Sequence, residues 1–395
     1  MIFYGDWAPG RLRCDAALPG GCALVNLEGP ILPADHALQA APKAGPSLFS
    51  TALPRADGRL LCSLANNHTM DYGAAGLALT REVLRARGAL PVGAGATRDA
   101  AREPVFVTDA GVRVAIIACC EAQFGAAERE RPGVAVLGPW VYDTIRTCRA
   151  QADAVVVSVH AGAELSPWPA PALQDLYRSW IDAGASVIHG HHPHVPQGFE
   201  EYDGGFILYG LGNLSVDPHD WEAYPNALWS LAVEVNFAAR PVQWRVQTYA
   251  LCDADKHVVI VPSDGADHRA YLHECNRALA DRGLLEALSQ EVAVRTYQAY
   301  YRTWLRFPPE QKGVRNLLLR SGAAGAGRAS RQDLRLWYHL FACLTHSDLI
   351  ATALGVLCGE LTDLRTAESG ALADRWLPWT VQNAKRQRAP AEVPG

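Results

Sequence analysis

The sequence predicts an α/β protein with a layered core of β-sheets flanked by helices, followed by a C-terminal helical extension. Three observations support this prediction. Short apolar runs alternate with amphipathic helical segments in the first part of the chain. Several runs are apolar without alternation, as expected for strands covered on both faces. From about residue 263 onward, the apolar residues follow a helical period instead.

The individual elements follow from these patterns in chain order. Strands are predicted at residues 1–4, 23–27, 59–65, 153–160, 186–188 and 205–209. Residues 105–108 and 112–119 flank an Asp-Ala-Gly turn and predict a hairpin, and residues 173–183 predict a helix. Period-two alternation predicts strands at 228–237, 242–251 and 258–261. We therefore expect a catalytic core over residues 1–262, a helical extension over 263–384 and a flexible tail over 385–395.

The composition is typical of a folded globular protein and argues against several functions. The 395 residues are 49% hydrophobic and 19% charged, with a formal net charge of −5. No Lys/Arg run marks a nucleic-acid groove, and no apolar stretch reaches the ~20 residues of a membrane span. The N-terminus lacks a signal-peptide pattern, and the ten cysteines are scattered without a Cys-x-x-Cys pair. We expect a cytoplasmic protein that binds neither nucleic acid nor membrane.

The most informative stretch is residues 186–195, in which four histidines fall within six positions directly after an apolar run. Histidine is the commonest metal-ligating side chain, and its neutral ring also serves as a general base. A solvated histidine-rich loop or a metal-storage tract is the alternative. We favour a metal site because other candidate ligands follow apolar runs elsewhere in the chain.

Polar residues follow several predicted strands, which is where α/β sheets bind their ligands. These residues are Asp6, Glu28, Asn67, His160, His191 and Asn213. Each has an ordinary explanation when it is taken alone, since Asp6 could cap a helix and Asn67 could form a turn. The recurrence of such residues after strands in separate segments is the strongest indication of a site in the sequence.

Mixed oxygen and nitrogen ligands suit hard or borderline divalent ions rather than a thiolate-bound soft metal. We predict one or two divalent metal ions of the Mn, Fe, Zn, Mg or Ca class as the cofactor. The predicted ligands are Asp6, Glu28, Asn67, His160, His191 and His189. His189, His192 and His194 cannot all be ligands, and at least one should instead support a ligand.

His68 and Asp71 have the i, i+3 spacing at which a carboxylate can orient an imidazole. We predict His68 as an acid or base with Asp71 behind it, although Asp71 could simply cap the next helix. Glu164 and His194 are further predicted catalytic residues, and a loop glutamate can equally be solvated. The predicted substrate-binding residues are Lys43, Asn26 and Asn213. A lone loop lysine is also common on protein surfaces.

Seven short motifs occur in order over residues 1 to 218. They are Gly5-Asp6, Asn26-Leu27-Glu28-Gly29-Pro30, Leu64-Ala65-Asn66-Asn67-His68 with Asp71-Tyr72-Gly73, Val92-Gly93-Ala94-Gly95, Ser158-Val159-His160, Gly190-His191-His192-Pro193-His194-Val195 and Tyr209-Gly210-Leu211-Gly212-Asn213. In these motifs the chain resembles the CapA family, which is named for poly-γ-glutamate capsule synthesis. That resemblance implies the calcineurin-like metallophosphatase fold for the core.

The departures from the wider fold family are informative. Ordinary metallophosphoesterases open with Asp-x-His, whereas this chain has Ala8 at the third position. Glu28 stands where they carry a bridging aspartate, and their closing Gly-His-x-His is lengthened here by one residue, which places the last histidine at His194. We therefore expect one of the two usual metal positions to be altered, and the site to be less suited to two-metal phosphoester hydrolysis.

Within the family, the chain resembles the soluble branch of lasso-peptide epimerases. This resemblance implies a metal-dependent isomerase that inverts a Cα centre, from L to D, in a ribosomal precursor peptide. The implied partners are this peptide and a leader-peptide-binding protein. A metal-dependent hydrolase of phosphoesters or γ-glutamyl amides is the alternative, and a non-catalytic polymer- or peptide-binding protein is a second one.

Overall fold

The computed structural model describes residues 1–12, 17–43, 45–239, 242–263, 265–305 and 330–377. Within these ranges, two large β-sheets are accompanied by two short two-stranded sheets and by helices. The tail predicted at residues 385–395 and the end of the predicted helical extension lie outside the described residues.

The first large sheet is mixed and has the N-terminal strand near its centre. In spatial order its strands are β18 (Val258–Ser263), β17 (Gln243–Cys252), β16 (Trp229–Asn236), β1 (Ile2–Ala8), β3 (Cys22–Leu27), β5 (Arg59–Ser63) and β6 (Leu90–Val92), and β15 (Asn213–Val216) also pairs with β1. Strands β1, β3, β5 and β6 run parallel. Strands β16, β17 and β18 pair antiparallel, and they are the strands that the period-two pattern predicts.

The second large sheet has a parallel centre and antiparallel edges. In spatial order it consists of β13 (Phe199–Tyr202), β14 (Gly205–Leu208), β12 (Val187–His191), β11 (Ala154–His160), β9 (Val112–Cys120) and β8 (Val105–Asp109). The antiparallel pairing of β8 and β9 confirms the predicted hairpin. The short sheets pair β2 (Ala17–Leu18) with β4 (Arg55–Ala56), and β7 (Ala94–Gly95) with β10 (Gly133–Val134).

The helices flank these sheets and form the C-terminal region. They are α1 (Gly73–Ala86), α2 (Arg98–Arg102), α3 (Trp140–Arg149), α4 (Pro171–Asp182), α5 (Ala266–Ala280), α6 (Arg282–Thr296), α7 (Arg302–Trp304), α8 (Arg331–Ala342), α9 (Leu344–Cys358) and α10 (Ala367–Trp376). Among the described residues, no single helix is long and apolar enough to cross a membrane. Helices α8 and α9, bent by 83° at their junction, meet that criterion only when taken together.

Two apolar cores make the protein layered. Along β11, Val156 faces the core between the two sheets, whereas Val155 and Val157 face helices α3 and α4, because side chains alternate across a strand. Ile145 of α3 and Trp180 of α4 lie in this second core. Burial on both faces explains the continuous apolar run of β11. The predicted layered α/β class is confirmed.

The C-terminal helices have a core of their own. Leu285 and Leu288 of α6 pack with Ile350 and Ala353 of α9, and all four side chains are buried. Helix α8 begins with a capping box, in which Ser330 and Asp333 bond each other's backbone N–H groups. The helical periodicity that the sequence shows after residue 263 therefore corresponds to helices that pack on one another.

Candidate metal centre and active site

The strands of both sheets bring polar side chains to one place. In the second sheet, β11 and β12 are paired so that His160 lies opposite His191. In the first, Asp6 lies opposite Asn26 of β3 and Asn213 of β15. The register shifts directly after Asp6, and irregularities of this kind redirect side chains beside functional sites. The predicted position of Asn213 at the end of a strand is wrong, because it begins β15.

Seven acidic and histidine side chains cluster at this junction. Four overlapping groups of three each have their potential ligand atoms within 4.8 Å of one another. The members are Asp6, Glu28, His160, His191, His192, His194 and Glu164. All of them are buried except Glu164, which is exposed. Carboxylate and imidazole donors suit divalent ions, so this cluster could hold a metal.

Glu28 gives the clearest sign that a cation belongs there. Its side chain is 0% exposed, and neither carboxylate oxygen has a hydrogen-bond partner among the described residues. Burial raises the pKa of the Glu28 carboxyl to about 8, with His194 opposing the shift and Asp6 adding to it. A buried carboxylate without partners is unfavourable, and a cation would satisfy it. The residues present therefore fit a metal ion.

Hydrogen bonds set the tautomers of the two paired histidines in a way that also suits a metal. His191 Nε2 lies 3.0 Å from the Ser158 hydroxyl, and His160 Nε2 lies 2.9 Å from Asn67 Oδ1. When each Nε2–H donates to these oxygens, neither Nδ1 atom carries a proton, and the His160 Nδ1 lone pair also lies 3.4 Å from the Asn26 amide nitrogen. The two Nδ1 atoms face each other at 2.8 Å, and His191 Nδ1 lies 3.8 Å from Asp6 Oδ1. Two opposed lone pairs beside a carboxylate are stabilised by a cation.

The structure corrects the prediction that His189 is a ligand. Its Nε2 donates to the Tyr4 carbonyl at 2.8 Å, and its Nδ1 accepts from the Ser158 hydroxyl at 3.0 Å. Both ring nitrogens are therefore used. Burial lowers the pKa of His189 to about 4, which keeps the ring neutral and able to accept. His189 orients Ser158, which in turn orients His191.

The loop after β12 holds its two histidines in strained backbone. The φ angle is 104° at His192 and 61° at His194, values that residues other than glycine rarely adopt and that concentrate at functional sites. Burial lowers the pKa of His192. Burial also acts to lower the pKa of His194, but Glu28 and Asp6 raise it to about 9. His192 is absent from the predicted ligands, although the doubled histidine after Gly190 could have indicated it.

The structure also corrects the substrate-binding roles predicted for Asn26 and Asn213. Both side chains are fully buried. Asn26 donates to Asp6 Oδ1 at 2.7 Å and accepts from Asn66 at 3.1 Å. The Asn213 oxygen lies 2.9 Å from His194 Nδ1, and its amide nitrogen donates to a backbone carbonyl. Because these bonds occupy both amides, Asn26 orients Asp6 and Asn213 orients His194.

A second network lies beside the cluster. Asp71 accepts hydrogen bonds from the Lys43 ammonium and from the Leu48 backbone at 2.6 Å, and its Oδ2 lies 2.7 Å from His68 Nδ1. When Nδ1–H donates to Asp71, the free lone pair of His68 is on Nε2, which lies 4.0 Å from Glu28. The Lys43 ammonium lies 2.9 Å from the same Nδ1 and hydrogen bonds to Asp71. Burial lowers the pKa of His68, which favours the neutral ring. Asp71 thus orients His68, and Lys43 is a buried partner rather than a surface lysine.

A groove of about 640 Å³ adjoins this network. Its lining includes Lys43 and Asn67 of the core and Tyr338 and His339 of α8. The helical extension therefore reaches the site. Tyr338 and His339 are not among the predicted site residues, because no recognisable motif surrounds them.

The fold and the cluster define a layered α/β protein with a candidate metal centre. Over residues 17–218 the sequence matches the family described as bacterial capsule synthesis protein PGA_cap. The chain belongs to this family, as the motifs predict.

Known relatives share only part of their length with the chain. The capsule biosynthesis protein CapA of Bacillus anthracis is 36% identical over 167 residues, which cover 40% of this chain and 41% of the relative. The PGA biosynthesis protein CapA of Bacillus subtilis (strain 168) is 36% identical over 157 residues, which cover 39% and 41%. The chain thus spans about two fifths of these curated relatives.

Solved structures with some similarity include a phosphatase from Mycoplasma pneumoniae, with a TM-score of 0.37 and 11% identity over 70% of this chain and 97% of that one. A 5'-nucleotidase from Candida albicans SC5314 has a TM-score of 0.32 and 12% identity over 56% and 43%.

Proposed function

We propose that the protein is a metal-dependent enzyme that moves protons on a peptide, and that it epimerises a Cα centre in a ribosomal precursor of the lasso type. One observation carries the proposal. His68 is held through Nδ1 by Asp71, and its free Nε2 faces the cluster at Glu28. This is the arrangement of a general base whose tautomer is fixed by a carboxylate.

The metal-binding part is assigned to the buried cluster. Asp6, His160 and His191 would hold a divalent ion, with Glu28 and His192 as further ligands. A bound ion supplies Lewis acidity, which stabilises negative charge on a substrate carbonyl oxygen.

The protein's own residues account for the proton transfers. His68 Nε2 accepts the proton as the Cα–H bond breaks, and the electron pair delocalises toward the adjacent carbonyl. Asp71 stabilises the resulting imidazolium through Nδ1–H. Glu164 then donates a proton to the opposite face and forms the new C–H bond, with His194 as the other candidate donor. Glu164 is exposed, so it regains a proton from water while His68 releases its proton to water, and both groups return to their starting states. Connectivity and oxidation state do not change.

The substrate is proposed to reach the cluster through the groove beside Lys43 and Asn67. A groove of about 640 Å³ is within the range of sites that enclose drug-sized ligands, roughly 300–1,000 Å³. We further propose that a leader-peptide-binding partner delivers the peptide, as in the epimerase branch that the sequence resembles.

The test is deuterium uptake from solvent. Manganese-loaded protein is incubated in deuterated water with synthetic nonapeptides that together carry each common amino acid at the centre. We expect one Cα deuteron in each inverted residue and an unchanged peptide length. The Asp71→Asn variant should lose this uptake, whereas His257→Ala, at an exposed histidine, should keep it. Uptake that is equal in Asp71→Asn would contradict the role of His68.

Hydrolysis is the second candidate, and a specific observation favours it. The group Asp6, His160 and His191 and the group Glu164, His192 and His194 share no residue, so two ions could be accommodated. Two ions can activate a water and hold the leaving oxygen. New peptide termini, or phosphate released from a generic phosphodiester, would support hydrolysis and count against epimerisation.

A further inference from the structure

One face of helix α8 forms a wall of the groove. Leu334 and Tyr338 are spaced i, i+4, as are Arg335 and His339, and all four line the groove. Residues with this spacing lie next to each other on a helix. The wall is therefore a continuous strip of the helix surface.

This strip exposes large side chains that a folded protein usually buries. Leu334 is 54% exposed and Tyr338 is 68% exposed. Phe124 of the core contributes a second aromatic ring to the groove lining, and Lys43 Nζ lies 5.5 Å from the centre of that ring. Exposed apolar side chains that line a concave surface mark binding sites.

The wall is fixed to the core rather than loosely attached. Buried Glu121, directly after β9, accepts hydrogen bonds from Thr345 Oγ1 at 2.6 Å and from Cys343 Sγ at 3.0 Å at the start of α9. The Tyr301 hydroxyl lies 2.6 Å from His346 Nδ1, and the His346 ring lies 4.6 Å from the His339 ring. The hydrogen bonds anchor the start of α9, and the His339–His346 ring contact connects α8 to it.

We propose that this groove binds an extended peptide segment and selects a large apolar side chain, which packs between Phe124 and Tyr338. The peptide backbone next to that side chain would run toward Lys43 and Asn67, which connect the groove with the cluster. The inference rests on the proposed function for the identity of the occupant as a peptide. It adds a specificity that the cluster itself does not provide.

The test measures peptide binding without turnover. Fluorescein-labelled nonapeptides of alternating Gly and Ala carry a central Phe, Ala or Lys, and their fluorescence anisotropy is followed as the full-length protein is added. We expect the Phe peptide to bind at least about tenfold more tightly than the Ala peptide, the affinity gain from burying one large apolar side chain. The Lys peptide should bind no better than the Ala peptide.

Variants assign the binding to the groove. The double variant Leu334→Ser/Tyr338→Ser should remove the preference for Phe. Phe341→Ser is the matched control, because Phe341 is 56% exposed on the same helix and does not line the groove. Equal binding of all three peptides, or an unchanged preference in the double variant, would overturn the proposal.

Two further outcomes separate the alternatives. Sedimentation of the protein with phosphatidylcholine vesicles, together with an absence of peptide binding, would overturn the proposal and assign these side chains to a lipid surface. A preference for the Phe peptide with no deuterium uptake by any peptide would support peptide binding in the groove and contradict the proposed epimerisation. The two proposals can therefore fail separately.

Discussion

The cluster and the groove wall adjoin, but they differ in which kinds of side chain are buried and which are exposed. In the cluster, polar side chains such as Asp6 and His191 are fully buried, and neighbours fix their orientation. On α8, large apolar side chains such as Leu334 and Tyr338 are exposed. Buried polar groups are stable only when they are paired or bind a ligand, and exposed apolar groups gain free energy when a partner covers them. This difference fits the two proposals, in which the core holds the metal and the extension binds the peptide.

The largest expected effect comes from removing a ligand of the cluster. His191→Ala takes away the free Nδ1 lone pair next to Asp6, so we expect loss of bound metal and of detectable turnover. Inductively coupled plasma mass spectrometry gives the metal content, and deuterium uptake gives the turnover. The control is His257→Ala, at an exposed residue that pairs with Asp253. A variant that retains stoichiometric metal would show that His191 is not a ligand.

Asp71→Asn should separate proton transfer from metal binding. Without the carboxylate, the tautomer of His68 is no longer fixed. General acid–base catalysis accelerates a reaction by about 10²–10⁴-fold. We expect turnover to fall by about this factor while the metal content stays at the wild-type level. A parallel fall in metal content would instead make Asp71 a structural support of the cluster.

Asn26→Ala tests whether the hydrogen bond from Asn26 to Asp6 strengthens metal binding. Asn26 donates to Asp6 at 2.7 Å, and the loss of such a partner typically costs about 10–100-fold in metal affinity. Calorimetric titration with manganese measures the change. Affinity within twofold of the wild type would indicate that Asp6 needs no such support.

On the extension side, Thr345→Val removes the hydroxyl that donates to buried Glu121. Leaving a buried acceptor without one of its donors costs about 1–3 kcal/mol, so the urea midpoint should fall. Ser347→Ala, an exposed hydroxyl in the same helix, should leave the midpoint unchanged. Equal midpoints for both variants would mean that Glu121 does not anchor α9.

The smallest effect is expected on the exposed helix face. Tyr338→Ser and Phe341→Ser should each change the free energy of unfolding by no more than about 0.5 kcal/mol. A clear loss of stability in Tyr338→Ser would show that Tyr338 belongs to the packed core of the extension. Its exposure could not then be used as an argument for binding.

The sequence predicted the layers of the core because each layer leaves a local periodic pattern. The continuous apolar run of β11 and the alternating pattern of β16 to β18 both reflect how many faces of a strand are covered. The polar residues near the strand ends likewise identified four members of the cluster, which are Asp6, Glu28, His160 and His191.

The roles within the cluster could not be predicted, because they depend on hydrogen bonds between distant segments. His189 and His191 are only two residues apart, yet the Tyr4 carbonyl and Ser158 occupy both nitrogens of His189. Asn26 and Asn213 carry amide groups that could bind a substrate, but these amides are buried and hydrogen bond to Asp6 and His194. The groove wall escaped prediction because an exposed Tyr338 is indistinguishable from a core residue in a helical pattern.

The most direct test of the metal centre is calorimetric titration of the chelator-treated protein with manganese chloride, carried out for the wild type and for Glu28→Gln. We expect saturable binding at one or two ions per chain in the wild type. Binding should be markedly weaker in Glu28→Gln, because the buried carboxylate that lacks partners becomes a neutral amide. An absence of binding in the wild type, or equal affinity in the two proteins, would contradict the assignment of the cluster as a metal centre.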